Sequence, residues 1–356
     1  MTTASHVPAP AGQDLIVSGI GVVTPWSDTP ATAVRAARPA VSGGWFDHRE
    51  RLGRRGYKYL PSATQYFLAA TKQAIADTGL PLDGADGADD ADRAAGAGAA
   101  GGARLAAEER RGAAVGTNSA AAALHDEMDR TVLAEGADAL SPATAPYFSI
   151  NLFGSRLATE HALKGFNLTL TSPRTAGLEA LESGARSVRL GRASWLLAGA
   201  TEEALPGTQA GADLSERGAV ALVLEPTERV RAREGRGYGH CRVRSFFLPP
   251  RTAAGPRGAD RVRERIGAAL ASMCAGPVPE HRVIAVVDES PVATAVATAL
   301  GPAASLVRAG AGSLEPLLQV AGALAGLTGP VAVVTAAREG NLAVALLTPP
   351  ECPRRG

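Results

Sequence analysis

Apolar and polar positions along the chain switch between two periods. Leu15 to Pro25, LIVSGIGVVTP, is an apolar, β-branched run closed by proline, the pattern of a buried strand followed by a loop. Residues 63–77, ATQYFLAATKQAIAD, carry apolar side chains at helical spacing, and Thr78-Gly79 stops that helix. GAAVGTNSAAAALHDEM returns to strand, tight turn and helix. NLTLTS (Asn167 to Ser172) predicts a strand and TAGLEALESGARSVRLG a helix. WLLAGATEE (Trp195 to Glu203) and GAVALVLEP (Gly218 to Pro226) predict two more strands. The second half repeats this grammar. YGHCRVRSFF and RVIAVVDES are strands, and RGADRVRERIGAALASMC, PVATAVATAL and LEPLLQVAGALAGL are helices. VAVVTAAREGNLAVALL is two strands joined at residues 336–340. Strands alternating with helices in both halves predict two α/β units with mixed sheets, packed on each other. The halves share an order of elements without an alignable sequence repeat.

Between the elements, residues 83–112 are Ala/Gly/Asp low complexity, too polar and too small to order themselves. They read as a disordered insertion in a first half of 14–226, before a second half of 227–350. The flanking segments 1–13 and 351–356 read as disordered tails. Aromatic residues are only 4% while Gly alone numbers 41, so the core must be close-packed layers of small and branched aliphatics.

A formal charge of +1 argues against nucleic acid, which needs a basic surface. No apolar run reaches the roughly 18–20 residues of a spanning helix, and no membrane partner is expected. The first residues lack the basic-then-apolar order of a secretory signal, so a cytoplasmic protein is expected. Cys241, Cys274 and Cys352 form no disulfide framework and no metal-ligand spacing, so neither a metal nor another cofactor is expected.

Several strings in order resemble the β-ketoacyl synthase branch of the thiolase fold. VSGIGVVTP resembles its opening strand, and AAVGTNSAAA the turn before its dimer-interface helix. HALKGFNLTLTSPRTAGLEAL resembles the segment with its nucleophilic cysteine. LLAGATEE and RGAVALVLEP resemble the two strands that follow. The resemblance runs from about residue 15 to 347. It implies a thiolase-like α/β fold, two similar halves in a five-layer αβαβα arrangement.

The family's chemistry uses a Cys thiolate that accepts an acyl chain and two His that stabilise the decarboxylating malonyl group. The resemblance places Arg174 at the nucleophile position, in Ser172-Pro173-Arg174-Thr175-Ala176-Gly177. A guanidinium stays protonated and cannot be acylated. The first His position falls in Asp288-Glu289-Ser290-Pro291, with Glu289 the degenerate residue, and the second falls on Pro316. The connection from Glu203 to Gly218 is short, and only Gly340-Asn341 survives of the family's gating turn.

Three losses together imply a non-catalytic subunit similar to the chain length factor, or ketosynthase-β, of type II polyketide synthases. Such a subunit heterodimerises with an active ketosynthase, meets acyl carrier protein through the complex and shapes the acyl tunnel in polyketide or polyene assembly. In better-known members a Gln holds the nucleophile position, and Arg174 departs from that. The resemblance implies a dimer interface at Asn118, Phe148, Asn167, Leu168, Thr169, Leu170 and Thr171. It implies a tunnel wall at Ser119, Leu124, Thr144 and Tyr147, where Ser119 and Thr144 are smaller than the family's usual residues and leave the floor open.

Other readings of these residues stand beside that one. Arg174 pairs with a carboxylate such as Glu289 or Glu315 and fills a dead pocket, or contacts a carrier-protein phosphate. Arg174, Glu289 and Glu315 run a different acyl-thioester reaction, hydrolysis or decarboxylation, or the chain is a plain scaffold for a ketosynthase. His125 and His161 are ordinary helix histidines, and His240 and Cys241 face opposite sides of a strand. Gly19-Ile20-Gly21 lacks the helix-opening glycine of a dinucleotide fingerprint.

Overall fold

The computed structural model describes residues 14–34, 44–80, 106–142, 144, 147 and 149–350. Its strands are β1 (Leu15–Val23), β2 (Arg111–Gly116), β3 (Phe166–Leu170), β4 (Trp195–Glu202), β5 (Gly218–Pro226), β6 (His240–Phe247), β7 (Arg282–Val287), β8 (Ser305–Arg308), β9 (Val331–Ala336) and β10 (Asn341–Thr348). They form two five-stranded mixed sheets, in the orders β1-β5-β4-β2-β3 and β6-β10-β9-β7-β8. The second order is the first with five added to every number. The pairings agree too. β2 and β7 each run parallel to both neighbours, and the remaining pairs are antiparallel. The repeat that the sequence hides is therefore complete in the topology.

The longer helices are α1 (Ser62–Asp77), α2 (Ala122–Glu135), α3 (Leu152–His161), α4 (Ala176–Arg189), α5 (Gly258–Ser272), α6 (Pro291–Leu300) and α7 (Leu314–Ala325). Three apolar clusters set the layers. Phe67, Leu68 and Ile75 of α1 pack on the outer face of the first sheet. Val262 and Ile266 of α5 and Val296 of α6 pack on the outer face of the second. Leu178 and Leu181 of α4, with Leu317 and Val320 of α7, share one cluster with Leu222 of the first sheet and Val333 of the second. The order is helix, sheet, helix, sheet, helix, the expected five layers of a thiolase-like fold.

Small residues let these layers approach. A Cβ on Gly21 would lie 1.9 Å from the carbonyl oxygen of Ala70, and one on Gly19 would lie 2.1 Å from that of Ala74. The two glycines thus seat β1 directly on the backbone of α1. The same helix covers the edge of the sheet. Ile20 N–H donates to Asp77 Oδ2 at 2.9 Å and Val22 N–H to Gln73 Oε1 at 3.0 Å, so these two outward N–H groups of β1 are satisfied. β3, at the opposite edge, has no strand beyond it among the described residues.

Residues 106–112 are ordered, against the low-complexity reading of 83–112. Ala106 and Arg111 are buried, and Arg111 Nε donates to the Ala106 carbonyl at 2.7 Å. β2 therefore opens inside that stretch, because a buried guanidinium anchors it. Residues 83–105 and both expected tails lie outside the described residues. β8 carries no expectation from sequence: its four residues, three exposed and one half-buried, show no alternation. α3 ends on His161, which was expected on a helix.

Gly21→Ala should destabilise the fold by about 2 kcal/mol or more, because backbone rather than a flexible side chain must yield. Gly267 of α5 has open space around it, so Gly267→Ala should stabilise by about 0.5–1 kcal/mol. Denaturant unfolding of the two variants beside the parent checks both signs.

Candidate functional site

The turn from β3 into α4 presents Arg174 in the left-handed region, φ +58°, at a cost of roughly 1–3 kcal/mol for a residue with a Cβ. Glu179, in the first turn of α4, secures that turn. It accepts from Ser172 Oγ at 2.5 Å and from Thr175 Oγ1 at 2.7 Å. A cation directly before a helix N-terminus is electrostatically disfavoured, and the Arg174 guanidinium turns away into the second half. Nη1 meets Asp288 Oδ2 at 3.1 Å and donates to the Ala336 carbonyl at 3.2 Å. Nη2 donates to the Gly310 carbonyl at 3.2 Å. These partners lie at or just beyond the carboxyl ends of β7, β9 and β8. Burial alone would raise the Asp288 carboxyl. Bonds from Ser290 and the Arg174 charge outweigh it and hold the group below the usual carboxylate range.

A cavity of about 740 Å³ opens beside this pair, lined by Arg174, Asp288, Glu289, Ser290, Arg338 and Glu339 among others. Arg174 thus takes a carboxylate, as one reading expects, but the partner is Asp288 rather than Glu289 or Glu315. The Glu289 side chain is 90% exposed and lies 3.9 Å from Arg308. Glu315 is fully buried on α7, where Oε1 accepts from Gln319 at 2.8 Å. The set Arg174, Glu289 and Glu315 therefore does not converge on one point. Pro316 is buried in the first turn of α7 and offers no donor.

Behind the cavity lies a group of buried acids that sequence reading missed. Glu202, fully buried at the end of β4, accepts from Ser119 N–H at 2.8 Å, Ser119 Oγ at 2.5 Å and Asn118 N–H at 3.0 Å. It also accepts from Ser313 N–H and Ser313 Oγ, both at 2.7 Å. Glu216 accepts from the N–H groups of Leu314 at 3.0 Å and Glu315 at 2.9 Å. Burial, then the charges of Glu202 and Glu315, push the Glu216 carboxyl up to about 8 against those two bonds. The sequence signal was the acid pair that ends the apolar run WLLAGATEE.

The expected interface residues do gather. Asn118 Nδ2 donates to the carbonyls of Thr171 at 3.0 Å and Ser172 at 3.1 Å, tying the two turns together. Asn167, Leu168 and Thr171 are exposed, and Thr169 and Leu170 half-buried, on or beside the free edge strand β3. Phe148 lies outside the described residues. The expected wall is less uniform. Leu124 is half-buried on α2, a helix with no fully buried residue. Tyr147 packs against the outer cluster. Thr144 donates to the Ser141 carbonyl at 2.8 Å. Ser119 is buried with its hydroxyl committed to Glu202. His161 contacts Thr71 at 2.9 Å, and burial pushes it down to about 4, so it is neutral at pH 7.

The family model "Beta-ketoacyl synthase, N-terminal domain" matches residues 25–242, more than half of the chain. The chain belongs to the β-ketoacyl synthase family. It is 21% identical over 210 residues to 3-oxoacyl-[acyl-carrier-protein] synthase 2 of Vibrio cholerae serotype O1, a match that takes in 53% of this chain and 46% of that relative. Among solved structures it is similar to the ishigamide ketosynthase/chain length factor, with TM-score 0.69 and 23% identity. It is similar also to a type II PKS acyl-carrier protein in complex with its ketosynthase, with TM-score 0.69 and 16% identity. Each likeness covers 95% of this chain and 100% of the other. A β-ketoacyl synthase from Burkholderia phymatum STM815 superposes with TM-score 0.66 at 14% identity, again over 95% and 100% of the two chains. At such identities these structures establish the fold.

The raised Glu216 carboxyl fixes a pH dependence. The folded chain binds this proton more tightly than the unfolded chain. Its contribution is therefore full below the ordinary pKa of 4.5 and is lost as pH rises through about 8. Stability should fall between about pH 5 and pH 8, with a slope approaching about 1.4 kcal/mol per pH unit in the middle of that window for the one proton, and level off above it. Glu216→Gln should remove that slope in denaturant titrations across the window.

Proposed function

We propose that this member of the β-ketoacyl synthase family is a non-condensing subunit of the chain-length-factor type. It would heterodimerise with an active ketosynthase, receive acyl carrier protein through that complex, and close the partner's acyl tunnel in type II polyketide or polyene assembly in the cytoplasm. The observation that carries this reading is Arg174. The family resemblance puts the nucleophile there, and the side chain is instead a buried guanidinium committed to Asp288 and two carbonyls. It has no lone pair for an acyl carbon at any physiological pH. At the two positions where the resemblance expects imidazoles stand Glu289, turned to solvent, and Pro316, so neither position offers an imidazole to a malonyl-derived enolate.

An unpartnered face supports the pairing. Among the described residues β3 has no strand beyond it, and α2, which follows the Asn118 turn tied to the end of β3, buries none of its residues. Leu133 is 87% exposed, and Val132, Ile150 and Leu168 are also exposed. Exposed apolar side chains together with an open strand suit a protein interface beyond about 2,000 Å². Ser119 is a poor probe of the tunnel, since a larger side chain there would first break the Glu202 group. Thr144 is the better one.

The purified chain should form no carbon–carbon bond from acyl- and malonyl-carrier protein, and Arg174→Cys alone should not restore turnover. Condensation by the parent chain alone would overturn the reading. Co-expressed with a cognate ketosynthase, Thr144→Phe should shorten the carrier-bound product without dissociating the pair. The added ring opposes the longest acyl chain by roughly 1–3 kcal/mol. Mass spectrometry of the product beside size exclusion of the complex reads both; an unchanged distribution would leave a scaffold.

A further inference from the structure

A second cavity, about 410 Å³, lies at the other end of α4, between the C-terminal ends of α4 and α5, the start of β1 and strand β6. Fourteen residues of helix separate it from the Arg174 turn, about 21 Å. Three guanidiniums line it: Arg189 from the last turn of α4, and Arg242 and Arg244 two apart on one face of β6.

Two of the three are fixed. Arg242 Nη2 meets Asp14 Oδ1 at 2.8 Å, and Nη1 donates to the Met273 carbonyl at 3.1 Å. Arg244 Nη1 meets Glu182 Oε1 at 3.3 Å, and Nε donates to Ser272 Oγ at 3.3 Å. Ser245 N–H holds the other oxygen of Glu182 at 2.8 Å. Arg189 is different. No carboxylate lies within ion-pair distance of it among the described residues. Two carboxylates thus face three guanidiniums, and the cavity carries one surplus positive charge. Burial, then the like charges of Arg244 and Arg242, push the Arg189 guanidinium down, opposed by Glu182 and Asp14.

We propose that this cavity is a binding site for the phosphate group of a small phosphate monoester. A tetrahedral dianion presents oxygens in several directions and accepts charge-assisted bonds from guanidinium forks that a single carboxylate could not all satisfy. Arg242 and Arg244 are already held in place, so little side-chain freedom is lost there on binding. Leu15, Ala185 and Val243 line the same cavity and supply an apolar wall for the organic part of the ester. Cys241 also lines it. Burial pushes its thiol up to about 12, so it places no negative charge against the ligand. The volume exceeds that of a phosphate group and falls within the range of small-molecule sites. The proposal is independent of the chain-length-factor reading.

The test is calorimetric titration of the full chain with inorganic phosphate and with glycerol phosphate, at constant ionic strength set by chloride. Saturable one-to-one binding of both is expected, tighter for the ester. Arg189→Gln should weaken both roughly tenfold or more, the loss of one charged contact, and leave the melting temperature in chloride unchanged. Because Arg189 lies at the surface end of its helix and makes no internal ion pair, this variant should fold. Phosphate binding no tighter than chloride, equal binding of succinate, or unchanged affinity in Arg189→Gln would each overturn the proposal.

Discussion

A single carboxylate with no exposure, Glu202, joins the parts of this molecule. It ends a strand of the first sheet and accepts from the turn before α2 and from Ser313, the residue that opens α7. A helix N-terminus leaves N–H groups without internal partners, and α7 has no side-chain cap of its own. The first half supplies what is missing: Glu202 takes the N–H of Ser313, and Glu216 those of Leu314 and Glu315. The middle layer is therefore set in place by acids from the other half rather than by apolar packing alone. Stripping Glu202 of its carboxylate would leave several buried donors open, each worth about 1–3 kcal/mol.

Arg174 makes the reverse tie. Where the acids reach N–H groups at the start of a helix, the guanidinium reaches carbonyls at the ends of strands. Its backbone strain persists because Glu179 and Asp288 over-determine the turn from both sides. Gly310 and Gly312 belong to the same construction. A Cβ on either would run into the carboxylate of Glu216 or Glu202. What lies between the sheets at this end is a polar lattice of carboxylates, backbone N–H groups and carbonyls.

Much of the fold was legible because both sheets are built from continuous apolar runs. LIVSGIGVV, WLLAGATE and GAVALVLEP are buried at every position, and such runs announce themselves. β8 did not, since an edge strand of four residues, three of them exposed, carries no period. The identity of the strained turn was legible as a resemblance and its chemistry from residue type. Its partner was not. Asp288 and Glu289 are neighbours in sequence, and only the direction in which each leaves the end of β7 makes one a half-buried counter-ion and the other a solvated charge. The Glu202 group was invisible for a similar reason, since its donors come from segments up to 111 positions away.

The duplicated topology places an equivalent edge on each sheet, β3 on the first and β8 on the second. If both edges accepted strands equally, each chain would have two sticky ends and assembly would run on without limit. The edges are unequal. β3 is five residues and flanked by apolar side chains, whereas β8 is four residues, bounded by Ser305 and the exposed Arg308. If the chain pairs through β3, as proposed, the shorter β8 leaves it with one competent end, and such a chain forms closed pairs rather than open-ended assemblies.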